Sequence, residues 1–333
     1  MPQSTFEQLV VAREFSVRRT ELTCPAHSLK MMQKAAASAA DEVILDLEDS
    51  CAVSQKIPAR ATLIEALNTL DFKGKIRAIR PNNTRTKYFY RDLIDVVEAA
   101  WKSIDVVVVP KVYGAADVLF VDRLLSQIEE NVGCEPGRIK LEVLIEGARA
   151  LLHAEEIADC SPRMASLIFG IADYAGDTGA KDLGADQFQT FHYPKSKTIA
   201  AARAAGIDVI DNVTLQFKDL EQVRKDAVAG ARLGFDGKWA IHPSHIDVIN
   251  AAYSPSSSEL ERALAIMEAY RKADKEHGQG AIVFGDEMVD AATLRVEWKK
   301  ICIARKAGLL DAHDEIVARP QESSAPKPAA VPA

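Results

Sequence analysis

Residues 105–145 read DVVVVPKVYGAADVLFVDRLLSQIEENVGCEPGRIKLEVLI, and this stretch decides the fold. Its two apolar runs, Asp105–Pro110 and Lys140–Ile145, are short and rich in β-branched residues, which is typical of strands buried on both faces. Between them, Ala115–Glu130 alternates apolar and charged positions at the spacing of a helix. The segment therefore predicts two parallel strands joined by a helix.

The same unit recurs along the chain. Strand-like runs begin at residues 42, 75, 105 and 140, so their starts differ by 33, 30 and 35 residues, the length of one βα unit. The other predicted strands are Thr20–Cys24, Glu42–Leu47, Lys75–Arg80, Met164–Phe169, Gly206–Ile210 and Gly237–Ile241. Eight strands alternating with helices over about 250 residues predict an α/β fold, a (β/α)8 TIM barrel. A doubly wound open sheet is the alternative, but no GxGxxG motif follows any strand.

The pattern changes after the eighth predicted strand. Residues 1–253 are predicted to form the barrel, and residues 254–318 a C-terminal helical extension. The extension has helical patterns over Ser257–His277 and Ala291–Ala307, separated by a strand–turn segment. Residues 319–333 contain four prolines and no apolar periodicity, so we expect a disordered tail without a function of its own.

Composition excludes several classes of function. The chain has 333 residues, 48% of them hydrophobic, and a net charge of -7, which disfavours nucleic acid and anionic membranes as partners. No apolar run is long enough to span a bilayer, and the N-terminus lacks the apolar core of a signal peptide. Its five cysteines show no CxxC pairing, which indicates reduced thiols. We therefore expect a cytoplasmic protein that is neither secreted nor inserted in a membrane.

Ionisable residues follow seven successive predicted strands, at the end of a TIM barrel where active sites lie. Glu146 follows the fifth strand and Asp173 the sixth. Two carboxylates without Cys or His partners suit a hard cation such as Mg²⁺. The alternative is that both residues only cap the helix and turn that follow them. Spacing alone leaves both interpretations open.

A second acidic group lies in the segment ILDLEDS, which places Asp46, Glu48 and Asp49 at one strand end. Like charges this close need a cation or basic side chains nearby, since otherwise their pKa values rise. Arg80 ends the next predicted strand, and its guanidinium must find an anion. That anion is either a substrate oxygen or one of the ILDLED acids.

Several segments together resemble the citrate lyase β-subunit-like family of the HpcH/HpaI aldolases, which includes malyl-CoA and citramalyl-CoA lyases. The matching segments are ILDLED (Ile44–Asp49), VVVPKV (Val107–Val112), IEGA (Ile145–Ala148), HAEEIA (His153–Ala158), FGIADYA (Phe169–Ala175) and GKWAIHP (Gly237–Pro243). They occur in the family's order and cover roughly Ser16 to Leu310.

The resemblance implies a TIM barrel that binds Mg²⁺, with Mn²⁺ as an alternative ion, through Glu146 and Asp173. It places Asp46 and Glu48 near the metal waters, matches Arg80 to the family's substrate arginine, and matches Asp290 in GDEMVD to its C-terminal catalytic aspartate. The residues implied to contact the coenzyme A thioester are Arg19, Lys30, Lys34, Ile241, His242 and Pro243. In relatives the C-terminal segment covers a neighbouring subunit's site, which implies a homotrimer or homohexamer.

The implied activity is Mg²⁺-dependent cleavage or formation of a malyl-CoA-type 3-hydroxyacyl-CoA. Its products are acetyl-CoA or propionyl-CoA and a 2-oxo acid such as glyoxylate. Three alternatives stay open: a malyl-CoA thioesterase, a CoA-independent 2-oxo acid aldolase, and a citrate lyase β-type subunit that acts only with partners. One departure concerns the substrate, because Cys24-Pro25-Ala26-His27 stands where many relatives have a Gly-containing turn.

Overall fold

The computed structural model describes residues 17–183, 186–277 and 280–310. The predicted tail 319–333, the residues before 17 and residues 311–318 of the predicted extension lie outside this range. The chain divides into two compact units, and the larger one spans Arg18–Tyr253. None of the helices in the described ranges is long and apolar enough to cross a membrane.

The larger unit is a closed barrel of eight parallel strands, which confirms the predicted (β/α)8 fold. The strands are β1 Thr20–Pro25, β2 Glu42–Asp46, β3 Ile76–Arg80, β4 Val106–Val109, β5 Lys140–Ile145, β6 Met164–Phe169, β7 Asp208–Asp211 and β8 Gly237–Ala240. Each pairs with the next, and β8 returns to β1 with Thr20 opposite Lys238, which closes the barrel. Since all strands are parallel, all their C-terminal ends meet at one mouth.

Helices cover the outside of the barrel. They are α1 Leu29–Ala36, α2 Pro58–Thr69, α3 Phe89–Ala100, α4 Ala115–Asn131, α5 Ala148–Leu152, α6 Ala154–Asp159, α7 Ile171–Asp177, α8 Gln187–Thr190, α9 His192–Ala204, α10 Leu220–Leu233 and α11 Ile246–Tyr253. Two of them, α5 and α6, follow β5, because the chain breaks at His153. The outward side chains of the strands and the inner faces of the helices form the main core.

The inside of the barrel has its own apolar layer at mid-height. Its members are Ile44, Ala78, Val106, Val108, Leu144, Ile168, Ile210 and Trp239. Because successive strand residues alternate between faces, residues two positions before or after these also point inward. On β5, for example, Leu144 in the layer lies between Glu142 on one side and Glu146 on the other. The layer therefore separates two polar regions within one barrel.

The second unit begins at Ser254. Its described part consists of helix α12 Ser257–His277, a hairpin of β9 Ala281–Phe284 and β10 Glu287–Asp290, and helix α13 Ala291–Lys306. A separate core holds it together, with Ile266, Tyr270 and Trp298 among its buried members. The predicted helix–strand–helix order is thus present, and the strand–turn segment is an antiparallel hairpin.

Candidate active site

The barrel mouth brings together ionisable side chains from five successive strand ends. Asp46 ends β2, Arg80 ends β3, Lys111 follows β4, Glu146 follows β5, and Asp173 follows β6. Residues far apart in sequence meet here because parallel strands end at the same edge.

Arg80 and Asp46 form a buried two-point ion pair. The Nε and Nη2 atoms of Arg80 each lie 2.7 Å from a carboxylate oxygen of Asp46. The backbone N–H groups of Glu48 and Ser50 also donate to Asp46, at 2.8 and 2.9 Å. Burial would raise the pKa of Asp46, but the Arg80 charge and these hydrogen bonds lower it below its ordinary value. Asp46 therefore holds Arg80 in place, and the salt-bridge alternative for this arginine is the one observed.

Lys111 links three of the mouth acids. Its Nζ lies 2.8 Å from Glu48, 2.9 Å from Asp49 and 3.9 Å from Asp173. Burial would lower the pKa of Lys111, but Asp49 and Glu48 raise it above its ordinary value. Its backbone has a φ of 54°, a left-handed conformation that costs about 1–3 kcal/mol in a non-glycine residue. In this conformation the Lys111 N–H points at Glu146.

Glu146 is the most perturbed acid of the mouth. Its Oε1 accepts a hydrogen bond of 2.6 Å from the Lys111 N–H, and the residue is 6% exposed. Burial, followed by the charges of Asp173 and Glu48, raises the pKa of Glu146 to about 8. It does not cap the following helix, because the Ala148 N–H donates to Asp177 instead. The capping alternative for Glu146 is therefore wrong.

Gly170 makes room for Glu146. A Cβ at position 170 would lie 2.6 Å from the Cβ and 3.0 Å from the Oε2 of Glu146, which is closer than real Cβ atoms come. The absence of a side chain at this position lets β6 and its loop approach β5 at the mouth. Gly170 is thus part of the geometry of the acidic site, although it carries no functional group.

Asp173 lies in the first turn of helix α7, and 45% of its side chain is exposed. It is not the N-cap, which is Gly170, so the capping alternative fails here too. An exposed carboxylate in a first turn is available to a ligand in the mouth, and the helix dipole favours its negative charge.

The charges and donor atoms of the mouth fit a divalent cation. Asp46, Glu48, Asp49, Glu146 and Asp173 supply five carboxylates against the two cations Arg80 and Lys111. The like-charge contribution to the raised pKa of Glu146 indicates a site that gains stability from added positive charge. All donors are oxygens, which hard cations prefer. Glu146 and Asp173 would hold such an ion with water or substrate oxygens completing its shell.

The residues implied to contact coenzyme A are divided between the two ends of the barrel. Lys30 and Lys34 lie exposed one turn apart on α1, which follows β1. Arg19 precedes β1 and pairs with Asp41 at 2.8 Å, at the end opposite the mouth. The expectation that Arg19 contacts the cofactor is therefore corrected, since a residue before a parallel strand belongs to its N-terminal end.

The end of β8 supplies the other implied contacts. Ile241, His242 and Pro243 are all exposed directly after the strand. The His242 ring stacks near Phe217, with centroids 5.7 Å apart, and its Nδ1 lies 2.7 Å from the Ser244 hydroxyl.

The unusual turn after β1 is tightly held. The Ala26 N–H donates to the Asp46 carbonyl at 2.9 Å, and His27 Nδ1 lies 3.4 Å from the Cys51 sulfur. Cys24 is buried and packs in the main core, while His27 is exposed. The departure from the family turn therefore presents an imidazole, and not a thiol, at the surface.

Asp290 has a structural contact of its own in the second unit. It is the N-cap of α13, and its Oδ1 accepts hydrogen bonds from the N–H groups of Thr293 at 3.0 Å and Ala292 at 2.9 Å. These bonds lower the pKa of Asp290 and favour the carboxylate form.

The sequence matches the HpcH/HpaI aldolase/citrate lyase family over residues 19–243. The chain belongs to this family. Residues 190–307 also match a family of C–C bond lyases of the TIM-barrel fold. Together with the closed barrel, these matches confirm the predicted fold, family and enzyme class, a carbon–carbon lyase.

Relatives are similar over nearly the whole chain. An L-malyl-CoA/β-methylmalyl-CoA lyase of Cereibacter sphaeroides is 37% identical over 309 residues, which cover 88% of this chain and 96% of the relative. A (3S)-malyl-CoA thioesterase of the same species is 34% identical, with 82% and 89% covered. The structure of CitE from Mycobacterium tuberculosis in complex with magnesium, acetoacetate and coenzyme A is 30% identical, has a TM-score of 0.70, and matches over 88% of this chain and 99% of that one.

Two residues of the mouth were not predicted to have a role. Lys111 ends the VVVVPK run, but the sequence does not show that its amine would reach Glu48 and Asp49. Gly170 begins the segment GIADYA, and its proximity to Glu146 becomes visible only once β5 and β6 pair. A charged residue and a glycine directly after neighbouring parallel strands are the signals that could have identified them.

Proposed function

We propose that the protein is a Mg²⁺-dependent lyase that reversibly cleaves a malyl-CoA-type 3-hydroxyacyl-CoA into acetyl-CoA or propionyl-CoA and a 2-oxo acid such as glyoxylate. The observation that carries the proposal is the placement of an oxygen-only acid pair, Glu146 and Asp173, beside an immobilised Arg80. The similarity to a malyl-CoA lyase over 88% of the chain supports the choice of substrate class.

The bound cation would act as a Lewis acid toward the carboxylate and oxo oxygens of the 2-oxo acid. Glu146 and Asp173 would hold it, with Asp46 and Glu48 near its waters, as the family resemblance implies. Lys111 keeps Glu146 oriented through its N–H and neutralises Glu48 and Asp49 through its amine.

Arg80 would bind the thioester oxygen. Asp46 occupies its Nε and Nη2, so Nη1 is the donor that points elsewhere, and it lies 3.6 Å from Glu48. During cleavage the electron pair of the breaking carbon–carbon bond moves onto the thioester enolate, and Nη1 stabilises the negative oxygen. A guanidinium held at two points is already oriented when that charge appears.

Asp290 would move the proton at the carbon that becomes the acetyl methyl group. In the condensation direction its carboxylate accepts this proton from acetyl-CoA, and a proton is then added to the new alkoxide oxygen to give the 3-hydroxyl. In cleavage the hydroxyl loses its proton as the carbon–carbon bond breaks, and protonated Asp290 donates a proton to the enolate carbon. We propose that Asp290 acts in a neighbouring subunit's mouth, as the family resemblance implies, within a homotrimer or homohexamer. Its lowered pKa keeps it in the base form.

The coenzyme A part of the substrate would lie across the exposed mouth. Lys30 and Lys34, after β1, offer cations for its phosphates, and Ile241 and His242, after the neighbouring strand β8, offer an apolar and aromatic surface. The reaction and its soluble substrates suit the cytoplasm.

A substrate panel tests the activity. The purified protein with Mg²⁺ and malyl-CoA should release glyoxylate and acetyl-CoA in equal amounts. Release of free CoA and malate without glyoxylate would instead identify a thioesterase, the activity of the relative that is 34% identical. Turnover of free hydroxy acids alone would identify a CoA-independent aldolase, and no turnover without a carrier protein would identify a citrate lyase β-type subunit.

Subunit mixing tests Asp290. Asp290→Asn should lose about 10²–10⁴-fold in rate, because Asn keeps the shape but cannot accept a proton at neutral pH. Inactive Asp290→Asn subunits mixed with inactive Glu146→Ala subunits should recover activity, since a mixed site contains both intact halves. If labelled subunits exchange and no activity returns, Asp290 does not act in a neighbour's site.

A further inference from the structure

A second acidic chamber lies at the N-terminal end of the same barrel. Glu21 on β1, Glu42 on β2, Glu142 on β5 and Asp208 on β7 are all buried there. Glu42, Glu142 and Asp208 each lie two residues before a member of the apolar layer, so all three point into the barrel. We call this group, together with Arg18, the basal cluster.

The basal cluster is isolated from the mouth. The apolar layer, with Ile44, Leu144 and Ile210, lies between the two regions. Glu21, Glu42 and Glu142 are each 0% exposed, whereas Asp173 at the mouth is half-exposed. The three glutamates are therefore out of contact with bulk water and lie on the other side of the apolar layer from the cations of the mouth.

Arg18 neutralises only part of the charge. Its Nη1 contacts Glu142 Oε1 directly and lies 3.7 Å from Glu42 Oε2, and its Nε lies 3.8 Å from Asp208 Oδ2. The backbone of Arg18 reaches this position because Gly237 has no Cβ, which would collide with the Arg18 carbonyl oxygen. Among the described residues, the Arg18 guanidinium thus serves the three buried carboxylates of Glu21, Glu42 and Glu142, an arrangement that is costly unless further positive charge is present.

Four carboxylate oxygens of the basal cluster have no hydrogen bond from any described residue. Glu42 Oε1, Glu142 Oε2 and both oxygens of Glu21 have no hydrogen-bond partner in the described part of the chain. One ligand oxygen from each of these three residues lies within 4.8 Å of the other two. Glu142 and Glu42 can therefore each serve Arg18 with one oxygen and another cation with the second.

Ser166 provides independent evidence for a ligand in the basal cluster. It lies opposite both Glu142 and Asp208 in the strand pairing, two residues before Ile168 of the apolar layer, so its side chain points into the basal cluster. Its hydroxyl oxygen is fully buried and also has no hydrogen-bond partner among the described residues. A buried hydroxyl without a partner is rare in a folded protein, and it indicates a missing ligand.

We propose that Glu21, Glu42, Glu142 and the Ser166 hydroxyl bind a second, non-catalytic divalent cation, and that this cation is Ca²⁺ in preference to Mg²⁺. The donors are all oxygens, which excludes a soft metal. Mg²⁺ demands a near-ideal octahedron and keeps several waters, whereas Ca²⁺ accepts more protein oxygens in irregular geometry. The ion would join β1, β2, β5 and β6 at the base of the barrel and stabilise its closure.

Protons are the competing ligands. Burial raises the pKa of Glu42 to about 7 and that of Glu21 well above its ordinary value. At acidic pH the carboxyl groups would therefore be neutral without an ion. Above neutrality the ion would replace the protons, because metal binding needs deprotonated ligands.

Mn²⁺ binding to a mouth-deficient protein tests the proposal. Mn²⁺ is the probe because its binding can be followed by electron paramagnetic resonance, and Ca²⁺ is then added as competitor. The full-length Glu146→Ala/Asp173→Ala variant, stripped with chelator and titrated at about pH 8, should still bind one Mn²⁺ per chain, which Ca²⁺ should displace. Adding Glu21→Gln and Glu42→Gln should abolish that binding. Because the mouth ligands are already removed, the result does not depend on the proposed lyase activity.

Thermal stability and Mg²⁺-dependent activity provide a second test of the cation site in the basal cluster. With the mouth ligands absent, Ca²⁺ at 100 times its Kd should raise Tm by about 5–10 °C, and the additional Gln substitutions should remove this response. Glu21→Gln/Glu42→Gln in the otherwise natural chain should keep its Mg²⁺-dependent activity. A folded mouth-deficient variant that binds no Mn²⁺ would overturn the proposal, as would an ion that remains bound after the Gln substitutions. If the mouth-deficient variant binds no Mn²⁺, protons alone neutralise the basal cluster.

Discussion

Glu142 in β5 and Glu146 directly after β5 are four residues apart and both point into the barrel, yet their surroundings differ completely. Glu146 accepts a hydrogen bond from the Lys111 N–H and lies near a half-exposed Asp173. Glu142 is 0% exposed and contacts Arg18. The difference arises because long βα loops supply residues to the mouth, whereas the base is lined by residues in the first half of the strands and by Arg18, just before β1.

The comparison also explains how one barrel can contain two acidic clusters. The apolar layer at mid-height keeps their charges apart, so each must be neutralised locally. At the mouth, Lys111 and Arg80 provide part of the neutralising positive charge, and substrate and cation can enter from solvent. At the base, Arg18 is enclosed with its acids. The mouth is therefore suited to chemistry and the base to structure.

Substituting the two glutamates separately gives the largest expected contrast. Glu146→Gln removes one of two proposed protein ligands, and loss of the Lewis acid is worth several kcal/mol, so kcat/KM should fall about 10³-fold. Glu142→Gln should change kcat/KM by less than about threefold, because its side chain lies on the other side of the apolar layer. Steady-state kinetics at saturating Mg²⁺, with circular dichroism to confirm folding, measures both. Equal losses would show that the layer does not isolate the two ends.

Two arginines of β3 extend the contrast. Arg80→Lys keeps the charge but not the fork that binds Asp46 at two points, so the thioester donor loses its orientation. We expect kcat to fall about 10²-fold. Arg77 forms a similar fork with Asp105 at 2.9 Å but lies near the N-terminal end of the strand and is partly exposed, so Arg77→Lys is the matched control. It should leave kcat unchanged and cost at most about 1 kcal/mol of stability. A similar loss of kcat in both variants would contradict the role of Arg80.

The sequence predicted the barrel because its signal is local. The run Val106–Val109 is apolar on both faces, and the helical pattern that follows begins at Ala115, where the helix begins in the structure. Boundaries were less accurate where a strand is short: β7 was predicted at Gly206–Ile210 but spans Asp208–Asp211, since Gly206 and Ile207 belong to the turn. Periodicity does not determine where a turn ends.

The acids of the mouth were predictable for a similar reason. Any residue directly after a parallel strand lies at the mouth, so Glu146 and Asp173 could be selected from their positions alone. The partner of Arg80 could not be predicted, because a substrate oxygen and Asp46 were equally compatible with the position of Arg80. Only the register, which places Asp46 opposite Arg80, selects Asp46.

The basal cluster could not be predicted from the sequence. Its carboxylates lie in the first half of four different strands, and each reads singly as an isolated polar residue. Glu21 and Asp208 belong to the first and seventh strands and come near each other only through closure of the barrel. Arg19 was assigned to the cofactor because it adjoins the first strand, but it lies before that strand and pairs with Asp41.

The pH dependence of stability in chelator distinguishes the basal cluster from ordinary surface acids. Burial raises the pKa of Glu42 to about 7, so between about pH 4.5 and 7 the folded state binds more protons than the unfolded state. The free energy of unfolding should therefore fall as pH rises through this window, with a contribution from Glu42 of up to about 3 kcal/mol. Glu42→Gln should flatten the fall, measured by urea unfolding at several pH values. Glu65→Gln on the exposed face of α2 should not, and an unchanged slope in Glu42→Gln would mean that Glu42 has an ordinary pKa.

The smallest effects are expected from two glycines, one at each end of the barrel. At the base, the Cβ of Gly237→Ala would collide with the Arg18 carbonyl oxygen, a backbone atom next to the hydrogen bond from the Lys238 N–H to the Arg19 carbonyl. The strain should lower the free energy of unfolding by about 1–3 kcal/mol, while the Mg²⁺ affinity of the surviving folded protein should be unchanged. Urea unfolding and calorimetric Mg²⁺ titration separate the two quantities. A changed Mg²⁺ affinity would show that strain at the base reaches the mouth.

At the mouth, Mg²⁺ affinity should change. A Cβ at Gly170 would lie 2.6 Å from the Cβ of Glu146, and since a Cβ moves only with its backbone, β5 and the loop after β6 must shift apart. Gly170→Ala should therefore displace Glu146, and Mg²⁺ affinity should fall about tenfold, the lower range for a group that supports a metal ligand. Gly176 on helix α7 has nothing within 4 Å of its Cβ position, so Gly176→Ala is the control and should leave Mg²⁺ affinity unchanged. If Gly170→Ala binds Mg²⁺ as Gly176→Ala does, the position of Glu146 is not critical, and its assignment as a metal ligand loses its geometric support.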